Sequence, residues 1–372
     1  MSESATTTNL LGLPRPDLER FVARLGSKPF RARQLMQWVY KRAEPSFERM
    51  TDLAKAFRAE LGAHACVRAP EIIDEQRSAD GTRKWLLRAD GSQAFEMVYI
   101  PEPDRATLCI SSQVGCALDC AFCSTAQQGF NRNLTTAEIV GQVWLANREL
   151  AGTLADLARE RAVTNVVFMG MGEPLANFRN VVPALDILLD DFGFDLSRRR
   201  VTLSTSGLVP QIYKLAEYSN VALAVSLHAP DDALRSELVP INRKHPIGEL
   251  LAACWHYIDE RNGRSVTFEY VLLQGVNDSR AQAHALARLL AGHPAKVNLI
   301  PFNPFPGTRF RRSSPEAVHA FRDELLHRGV LATVRRTRGD DIDAACGQLA
   351  GRVIDRTVVR LGSRTFGLAV QA

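Results

Sequence analysis

The sequence predicts an α/β protein built on a partial (β/α)6 barrel, and three observations support this fold class. From about residue 105, six apolar runs alternate with helix-length segments. Repeated strand–helix units imply parallel strands joined by right-handed crossovers. One intervening segment opens with the capping box Thr135-Thr136-Ala137-Glu138, which marks a helix start. The residues before about 105 follow other patterns and predict two smaller elements.

The barrel is predicted to consist of six strands followed by a last helix. The strand sequences are ATLCISS, TNVVFMG, RVTLSTS, NVALAVSLH, SVTFEYVLL and KVNLIPF. The last helix is expected to begin at Ser314-Pro315, where a capping residue is followed by proline at the first helical position. In barrels of this kind the functional groups gather at the carboxyl ends of the strands.

We predict five parts along the chain. Residues 1–8 are polar and expected to be disordered, 9–68 form a helical accessory module, 69–101 a β-hairpin extension, 102–341 the barrel core, and 342–372 a C-terminal segment.

Local signals support the two parts that precede the barrel. In the helical module, Gly26 is predicted to end the first helix. The basic face of this module either contacts phosphates or is simply solvated; it consists of Arg31, Arg33, Lys41 and Arg42. In the extension, Asp80-Gly81 and Asp90-Gly91 predict hairpin turns of a small antiparallel sheet, and its last strand places Glu96 among apolar neighbours.

Length and composition restrict the class of protein. With 372 residues and 46% hydrophobic content, the chain can bury a large core. The N-terminal residues do not resemble a signal peptide, and no segment reaches the roughly 18 uninterrupted apolar residues of a membrane span. We therefore expect a cytoplasmic monomer that does not enter a membrane. The net charge of +5 is compatible with an anionic partner such as a nucleic acid.

The seven cysteines predict metal or redox chemistry rather than a disulfide framework, because their number is odd and three are clustered. Cys116, Cys120 and Cys123 follow the spacing C-x3-C-x2-C. A structural zinc site usually has two close pairs, or a pair with histidines. Three ligands from one loop better suit a 4Fe-4S cluster whose fourth iron stays open.

This loop, placed after the first barrel strand, resembles that of the radical S-adenosylmethionine (SAM) enzymes. The sequence GMGEPLANF at 170–178 resembles their SAM-binding turn, in which Glu173 would contact the amino group of the methionine. Longer motifs resemble the RNA adenine carbon-2 methyltransferases of this superfamily, over about Leu10 to Leu361. These motifs are FEMVYIPE, LCISSQVGCALDCAFCSTAQQGFNRNL, VTLSTSGLVP, SLHAP, LIPFNPFPG and RRTRGDDIDAACGQLAG.

The resemblance implies a radical mechanism that uses two SAM molecules per methylation. Cys346 would take a methyl group from the first SAM. The second would bind the open iron and give a 5′-deoxyadenosyl radical, which activates the methyl group on Cys346 for addition to adenine. Glu96 would remove the proton from carbon 2, a role that an apolar setting favours by raising the pKa of a carboxyl group. Cys109 would then attack the sulfur of Cys346, and the resulting disulfide would release the product.

The resemblance also implies the ligands and partners. A 4Fe-4S cluster would bind to Cys116, Cys120 and Cys123. The implied SAM contacts are Gly172, Glu173, Ser204, Ser226, Leu227, His228 and Asn303. The implied substrates are an adenosine in the peptidyl transferase centre of 23S rRNA and the adenosine at position 37 of tRNA, and the implied electron donor is a flavodoxin-type reductant.

Other interpretations of the same residues remain open at this point. Cys109 and Cys346 are also compatible with core thiols, and Glu96 with an exposed strand position. The run Arg335, Arg336 and Arg338 is either a solvated surface or a contact for RNA phosphates. Two alternatives exist for the function: a related enzyme that methylates carbon 8 of the same adenine, and a non-catalytic RNA-binding protein with structural zinc.

Overall fold

A ten-stranded sheet organises most of the chain in the computed structural model, which describes residues 7–153, 161–261 and 265–357. The strands are β1 (Thr8–Asn9), β2 (Ala65–Cys66), β3 (Ile72–Arg77), β4 (Arg83–Arg88), β5 (Ala94–Pro101), β6 (Ala106–Cys109), β7 (Gln113–Gly115), β8 (Phe130–Asn133), β9 (Asn165–Phe168), β10 (Val201–Thr205), β11 (Ala222–Ser226), β12 (Val266–Leu272), β13 (Ala295–Pro301) and β14 (Leu331–Val334). The order in the large sheet is β14-β13-β12-β11-β10-β9-β6-β5-β4-β3.

The helices follow the strand–helix alternation that the sequence predicts. They are α1 (Arg15–Arg24), α2 (Phe30–Met36), α3 (Lys55–His64), α4 (Ser124–Gln127), α5 (Thr136–Glu149), α6 (Phe178–Leu189), α7 (Val209–Tyr218), α8 (Asp232–Leu238), α9 (Ile247–Arg261), α10 (Arg280–Leu290) and α11 (Pro315–His327). The capping box at the start of α5 is confirmed, as is the Ser314 cap of α11. In the described part of the chain, no helix is long and apolar enough to cross a membrane.

The parallel barrel is confirmed and contains one strand more than predicted. All six predicted strands form, as β6 and β9 to β13, and they pair in parallel with one another. The additional strand, β14, pairs in parallel with β13. It was missed because it is four residues long and leads directly into the arginine run, so that its apolar pattern is short.

The antiparallel hairpins are confirmed, but they do not form a separate small sheet. Strands β3, β4 and β5 pair in antiparallel fashion, and β5 continues onto β6, the first barrel strand. The register places Val98 opposite Cys109. The hairpins therefore extend the barrel sheet, and they bring β5 beside the strand that carries Cys109. The boundary predicted between two parts at residues 101–102 falls at the hairpin turn of residues 102–105, which was therefore missed.

The N-terminal helices pack on the outside of the barrel. Gly26 follows α1 in a left-handed conformation, with φ of 71°, as predicted for a helix stop. The indole of Trp144 in α5 donates a hydrogen bond of 2.8 Å to the Val39 carbonyl. Residues 1–6 of the predicted disordered terminus lie outside the described residues, whereas Thr8 pairs with Ala65 in a short parallel ladder.

Two residues of the predicted basic face, Lys41 and Arg42, contact other residues of the protein. The guanidinium of Arg42 lies 3.8 Å from the centre of the Trp38 ring, and Lys41 forms an ion pair of 3.2 Å with Asp195 of the barrel. Lys41 is thus engaged by the protein itself, which leaves fewer cations of this face for an anionic partner.

Candidate active site

A cavity opens at the carboxyl ends of the barrel strands, where the fold predicts the site. Its empty space is about 940 Å³, including the part open to solvent. Predicted site residues that line it are Cys116, Cys120, Cys123, Gly172, Glu173, Ser204, Ser226, His228, Asn303 and Cys346. One cavity thus brings together the cluster loop, the SAM-binding turn and the predicted methyl carrier.

The cysteine loop runs from β7 to α4 and is held by backbone hydrogen bonds. The Cys116 N–H donates to the Gly129 carbonyl at 2.7 Å, and the Ala121 N–H donates to the Leu238 carbonyl at 3.0 Å. Gly115 precedes the loop with φ of +79°, and a Cβ there would lie 2.1 Å from the Gly129 oxygen. Only glycine allows the two sides of the loop to approach so closely.

The three thiols fit an iron–sulfur cluster by their chemistry. Burial raises the pKa of Cys116 well above its usual value and that of Cys120 to about 12, and the neighbouring thiols of the loop raise both further. Thiolates crowded in this way require a positive centre to stay ionised. All three line one cavity. A cluster fits such an arrangement, because each thiolate would bind a different iron.

Glu173 is buried in the turn after β9. Its Oε1 accepts a hydrogen bond from the Leu175 N–H at 3.0 Å, and its Oε2 accepts one from the Ser206 N–H at 2.8 Å. Burial raises the pKa of this carboxyl group to about 7, although both hydrogen bonds lower it. Gly172 has φ of +98°, and a Cβ there would lie 2.5 Å from Gln113. The turn therefore holds a carboxyl group at the cavity wall in a fixed orientation.

Ser204 and Ser226 line the cavity at the ends of β10 and β11, but Leu227 does not. The Leu227 side chain is fully buried in the core, and its N–H donates to the Glu269 carbonyl at 3.0 Å. A SAM contact from Leu227 would therefore have to come from its backbone. This residue is the one predicted SAM contact whose side chain points away from the cavity.

His228 has a left-handed backbone with φ of 58° and is buried. Its Nδ1 accepts a hydrogen bond of 3.0 Å from the Val271 N–H, so the neutral ring carries its proton on Nε2. Burial lowers the pKa of the ring to about 3, and the nearby Arg235 lowers it further. The ring meets Phe122 of the cysteine loop edge to face, with 4.5 Å between the ring centres. His228 thus remains a neutral donor that packs against the loop.

Cys346 lies in an irregular stretch, residues 339–357, that crosses the mouth of the barrel. From here on, the name C-terminal segment refers to this stretch and not to the predicted part 342–372. The Asn303 side chain donates to the Cys346 carbonyl at 3.3 Å, and the Ser124 N–H of α4 donates to the Gly347 carbonyl at 2.8 Å. These bonds hold the methyl-carrier candidate beside the cysteine loop.

Cys109 is buried at the end of β6, behind the cavity wall. Burial raises the pKa of its thiol to about 12, and the neighbouring Cys346 contributes to this increase. The Cys346 sulfur is therefore near enough to Cys109 to act on the ionisation of that thiol. Both are free cysteines in this structure.

Glu96 is a buried residue of β5, not an exposed strand position. It forms an ion pair of 3.4 Å with Lys84, and its Oε2 accepts a hydrogen bond of 2.9 Å from the Ala350 N–H of the C-terminal segment. Burial raises the pKa of its carboxyl group, while Lys84 acts in the opposite direction. Glu96 does not line the cavity, because Ala350 covers it.

Arg335 lies at the cavity rather than on a fully solvated surface, because its side chain lines the cavity with Cys346 and Glu269. These two groups and Cys109 raise its pKa. Arg336 is exposed, and Arg338 pairs with Asp80 at 3.7 Å. A contact of this arginine run with RNA phosphates stays a prediction.

Two further residues of the site were missed from the sequence. Glu269 in β12 is a buried carboxylate that lines the cavity and accepts a hydrogen bond of 2.8 Å from Asn298. Arg235 in α8 is fully buried behind the strand ends. Neither lies in a motif with a chemical signature of its own. Glu269 is a charged residue in the middle of the otherwise largely apolar predicted strand SVTFEYVLL, and this is the signal that could have found it.

The fold and this cavity define a radical SAM enzyme, and comparisons with known proteins agree. Residues 8–67 match the family described as the ribosomal RNA large subunit methyltransferase N-terminal domain, and residues 110–287 match the radical SAM superfamily. A solved radical SAM methyltransferase from Sphaerobacter thermophilus superposes with a TM-score of 0.85 and 47% identity, over 92% of this chain and 99% of that chain.

A curated relative gives the family. The dual-specificity RNA methyltransferase RlmN of Alkalilimnicola ehrlichii is 57% identical over 349 residues, which is 94% of this chain and 95% of the relative. The chain belongs to the RlmN family of radical SAM RNA methyltransferases. Enzymes of this family use SAM and a 4Fe-4S cluster.

Proposed function

We propose that this enzyme methylates carbon 2 of an adenosine in the peptidyl transferase centre of 23S rRNA and of adenosine 37 in tRNAs. The observation that carries the proposal is the position of Cys346, which shares one cavity with the cysteine loop and is near enough to Cys109 to raise the pKa of its thiol. A carbon-2 methylation requires a carrier thiol at the cavity and a second thiol to release it, and this pair meets both requirements.

Bound cluster and SAM would supply the radical that activates the carrier's methyl group, a task that polar chemistry cannot perform at the electron-poor carbon 2. Cys116, Cys120 and Cys123 would hold the cluster, and Glu173 would orient the amino group of SAM. The polar side chains at the strand ends would hold the rest of SAM: Ser204, Ser226, His228 and Asn303.

The chain's own residues then carry the methyl group and the proton. The Cys346 sulfur accepts the methyl group and delivers its carbon to the adenine. Glu96 removes the proton from carbon 2, which its buried carboxyl group suits because its pKa is raised. Cys109, after its thiol loses its proton, attacks the Cys346 sulfur: an S–S bond forms as the bond between that sulfur and the product carbon breaks, and this carbon keeps the electron pair and takes up a proton to become the methyl group.

One rearrangement is required for this sequence of events. Glu96 is covered by the hydrogen bond from Ala350, so its carboxylate reaches the adenine only when this part of the C-terminal segment moves. We propose that entry of the RNA base displaces Ala350 and exposes Glu96. The base must also leave its stack to reach the cavity, as in other enzymes that modify bases.

The partners and location are proposed on the same basis. The N-terminal module and the exposed Arg336 would contact RNA phosphates. The family resemblance supports a cytoplasmic monomer that receives electrons from a flavodoxin-type reductant.

Nucleoside analysis of RNA treated with the reconstituted enzyme tests the proposal. We expect 2-methyladenosine in 23S rRNA and in tRNA; a product consisting of 8-methyladenosine alone would contradict the assignment to carbon 2. Iron and sulfide analysis after anaerobic purification tests the metal. Zinc without iron in a folded sample would contradict the radical mechanism and favour an RNA-binding protein with a structural metal.

A further inference from the structure

The stretch that follows the cysteine loop, residues 124–131, runs alongside the C-terminal segment, and we call it the anchoring strip. The Ser124 N–H at its start donates to the Gly347 carbonyl at 2.8 Å. Ser124 directly follows Cys123, and Gly347 directly follows Cys346. One hydrogen bond therefore connects the neighbours of a predicted cluster ligand and of the predicted methyl carrier.

Side chains of the anchoring strip extend this contact along the segment. The Thr125 hydroxyl donates to the Leu349 carbonyl at 2.7 Å. The side-chain amides of Gln128 and Asn131 donate to the carbonyls of Gly351 at 3.1 Å and Ile354 at 2.7 Å. Donors and acceptors advance in the same direction along the chain, so the two stretches lie side by side over several residues.

Thr125 is the side chain of the strip whose acceptor lies nearest to the carrier. It is buried and lines the cavity, and the Leu349 carbonyl is three residues from Cys346. On the other flank, the Asn303 side chain donates to the Cys346 carbonyl at 3.3 Å. The carrier is therefore held from two sides, by the anchoring strip and by the residues after β13.

We propose that the anchoring strip, chiefly through Thr125, sets the position of the Cys346 sulfur relative to the cysteine loop. Methyl transfer requires the carrier and the SAM-binding site to be aligned, and a displacement of about 1 Å at a reacting atom can lower a rate by about 10²-fold. Thr125 is a positioning residue in this view, because it contacts the segment and acts through Cys346. The inference rests on the proposed function, which assigns the carrier role to Cys346.

The first test measures how much SAM cleavage leads to methylation, in the reconstituted holoenzyme with tRNA. Thr125→Val loses the hydroxyl and keeps the shape of the side chain. We expect about five times more 5′-deoxyadenosine per methylated adenine than in the wild type, since one hydrogen bond is worth about this factor in the population of a displaced segment. Thr125→Ser keeps the hydroxyl and should restore the wild-type ratio.

Amide hydrogen exchange of the iron-loaded enzyme, without SAM or RNA, gives a measurement that does not depend on activity. The Gln348 N–H donates to the Ala345 carbonyl and the Ala350 N–H to Glu96, so both amides should be protected. Their exchange should become about five times faster in Thr125→Val, because exchange reports local opening of the segment.

A second variant separates the position of the carrier from an effect on the cluster. Thr125 is two residues from Cys123, so iron and sulfide content is measured in every variant. Gln128→Leu removes a bond to the segment farther from the cysteine loop. It should raise the cleavage ratio and the exchange rate in the same direction as Thr125→Val, but by less, because Gly351 lies farther from Cys346.

A matched control is Thr136→Val. Thr136 is also buried, and its hydroxyl also donates to a backbone carbonyl, that of Asn180 at 3.1 Å. This bond joins α5 to α6 and does not involve the C-terminal segment. The substitution should leave the cleavage ratio and the exchange of Gln348 and Ala350 unchanged.

The outcomes separate this inference from the proposed function. Wild-type protein without iron and sulfide overturns the proposed function and the inference with it. A wild type that methylates, with an iron-loaded Thr125→Val variant whose cleavage ratio is unchanged, overturns the inference alone, even if exchange is faster. A Thr125→Ser variant as impaired as Thr125→Val also overturns it. If Thr125→Val does not fold or bind iron, Gln128→Leu decides, and unchanged values of both measurements in that variant reject the proposal.

Discussion

The two sides of the cavity are built in different ways. The strand-end wall, formed by Glu173, Ser204, Ser226 and His228, is part of the parallel sheet and is fixed by ladder hydrogen bonds and the buried Arg235. The C-terminal segment that carries Cys346 has little regular structure and is held by hydrogen bonds to several separate elements, including a bridge between Arg352 and Ala94. The side expected to bind SAM is thus built from one sheet, whereas the side expected to transfer the methyl group depends on contacts among distant segments.

The largest effect is expected from removing the carrier sulfur on the side of the C-terminal segment while the strand-end wall stays intact. Cys346→Ala should abolish methylation while iron content and SAM cleavage persist, because only the carrier sulfur is lost. Mass spectrometry of the RNA and quantification of cleaved SAM measure both properties. Cys254→Ala, which removes a buried thiol outside the cavity, should methylate normally. Methylation by Cys346→Ala would show that the C-terminal segment does not provide the carrier.

Next in size is the effect of removing the resolving thiol. Cys109→Ala should form the covalent bond between protein and RNA but fail to break it, because no second thiol remains in position. The expected observation is a nuclease-sensitive adduct on a denaturing gel, with turnover reduced to at most one cycle. Cys66→Ala serves as the control. Normal multiple turnover by Cys109→Ala would refute the role of the buried thiol behind the wall.

The third prediction tests whether Glu96 is the base. Glu96→Gln keeps an acceptor for the Ala350 N–H but cannot take a proton, so the rate of methylation should fall by about 10²- to 10⁴-fold. Single-turnover kinetics with tRNA measure this rate. The same substitution at Glu75 in β3, which lies two strands away in the sheet, should have little effect. A Glu96→Gln rate within threefold of the wild type would exclude the base assignment.

The buried carboxyl group of Glu173 in the strand-end wall should make the stability of the protein depend on pH. The pKa of Glu173 is raised to about 7 from an ordinary value of 4.5, so the folded state retains a proton that the unfolded state releases. Its contribution to the free energy of unfolding is therefore present below pH 4.5 and lost as the pH rises through 7, by at most about 3 kcal/mol. Urea denaturation of the ligand-free protein at pH 5 and 8 should show this decrease, and Glu173→Gln should reduce it. An equal slope in both proteins would contradict the shift.

The smallest effect is expected from breaking the ion pair between Lys84 and Glu96. Lys84 lowers the pKa of Glu96, so Lys84→Met should raise that pKa and move the acidic limb of the pH–rate profile to higher pH. A shift of less than about one pH unit is expected, because burial remains the main cause. Arg83→Met, which loses only a contact of 3.7 Å with Glu75, is the control. A shift to lower pH would show that Lys84 does not act on Glu96.

The sequence was sufficient for the barrel and for most of the wall that its motifs describe. Cys116 and Glu173 come within four residues of the ends of predicted strands, Ser204 lies near the end of one, and parallel strands bring their ends to one edge. It was insufficient where the structure depends on contacts between distant segments. Arg335 looks like part of a charged run, yet the pairing of β14 with β13 turns it toward Cys346. Arg235 carries no motif, because its role depends on three carbonyls from two other strands.

The pairing of β5 with β6 limits the positions at which the enzyme could tolerate an inserted or deleted residue. Glu96 and Cys109 lie on the same face of the sheet because Val98 faces Cys109 directly, and a turn of only four residues, 102–105, joins the two strands. Adding or removing one residue within β6, before Cys109, would turn its thiol to the opposite face, unless a bulge absorbed the change. Natural variation in length should therefore avoid this strand and accumulate at the ends of the hairpins farther from the barrel, such as the turn between β3 and β4.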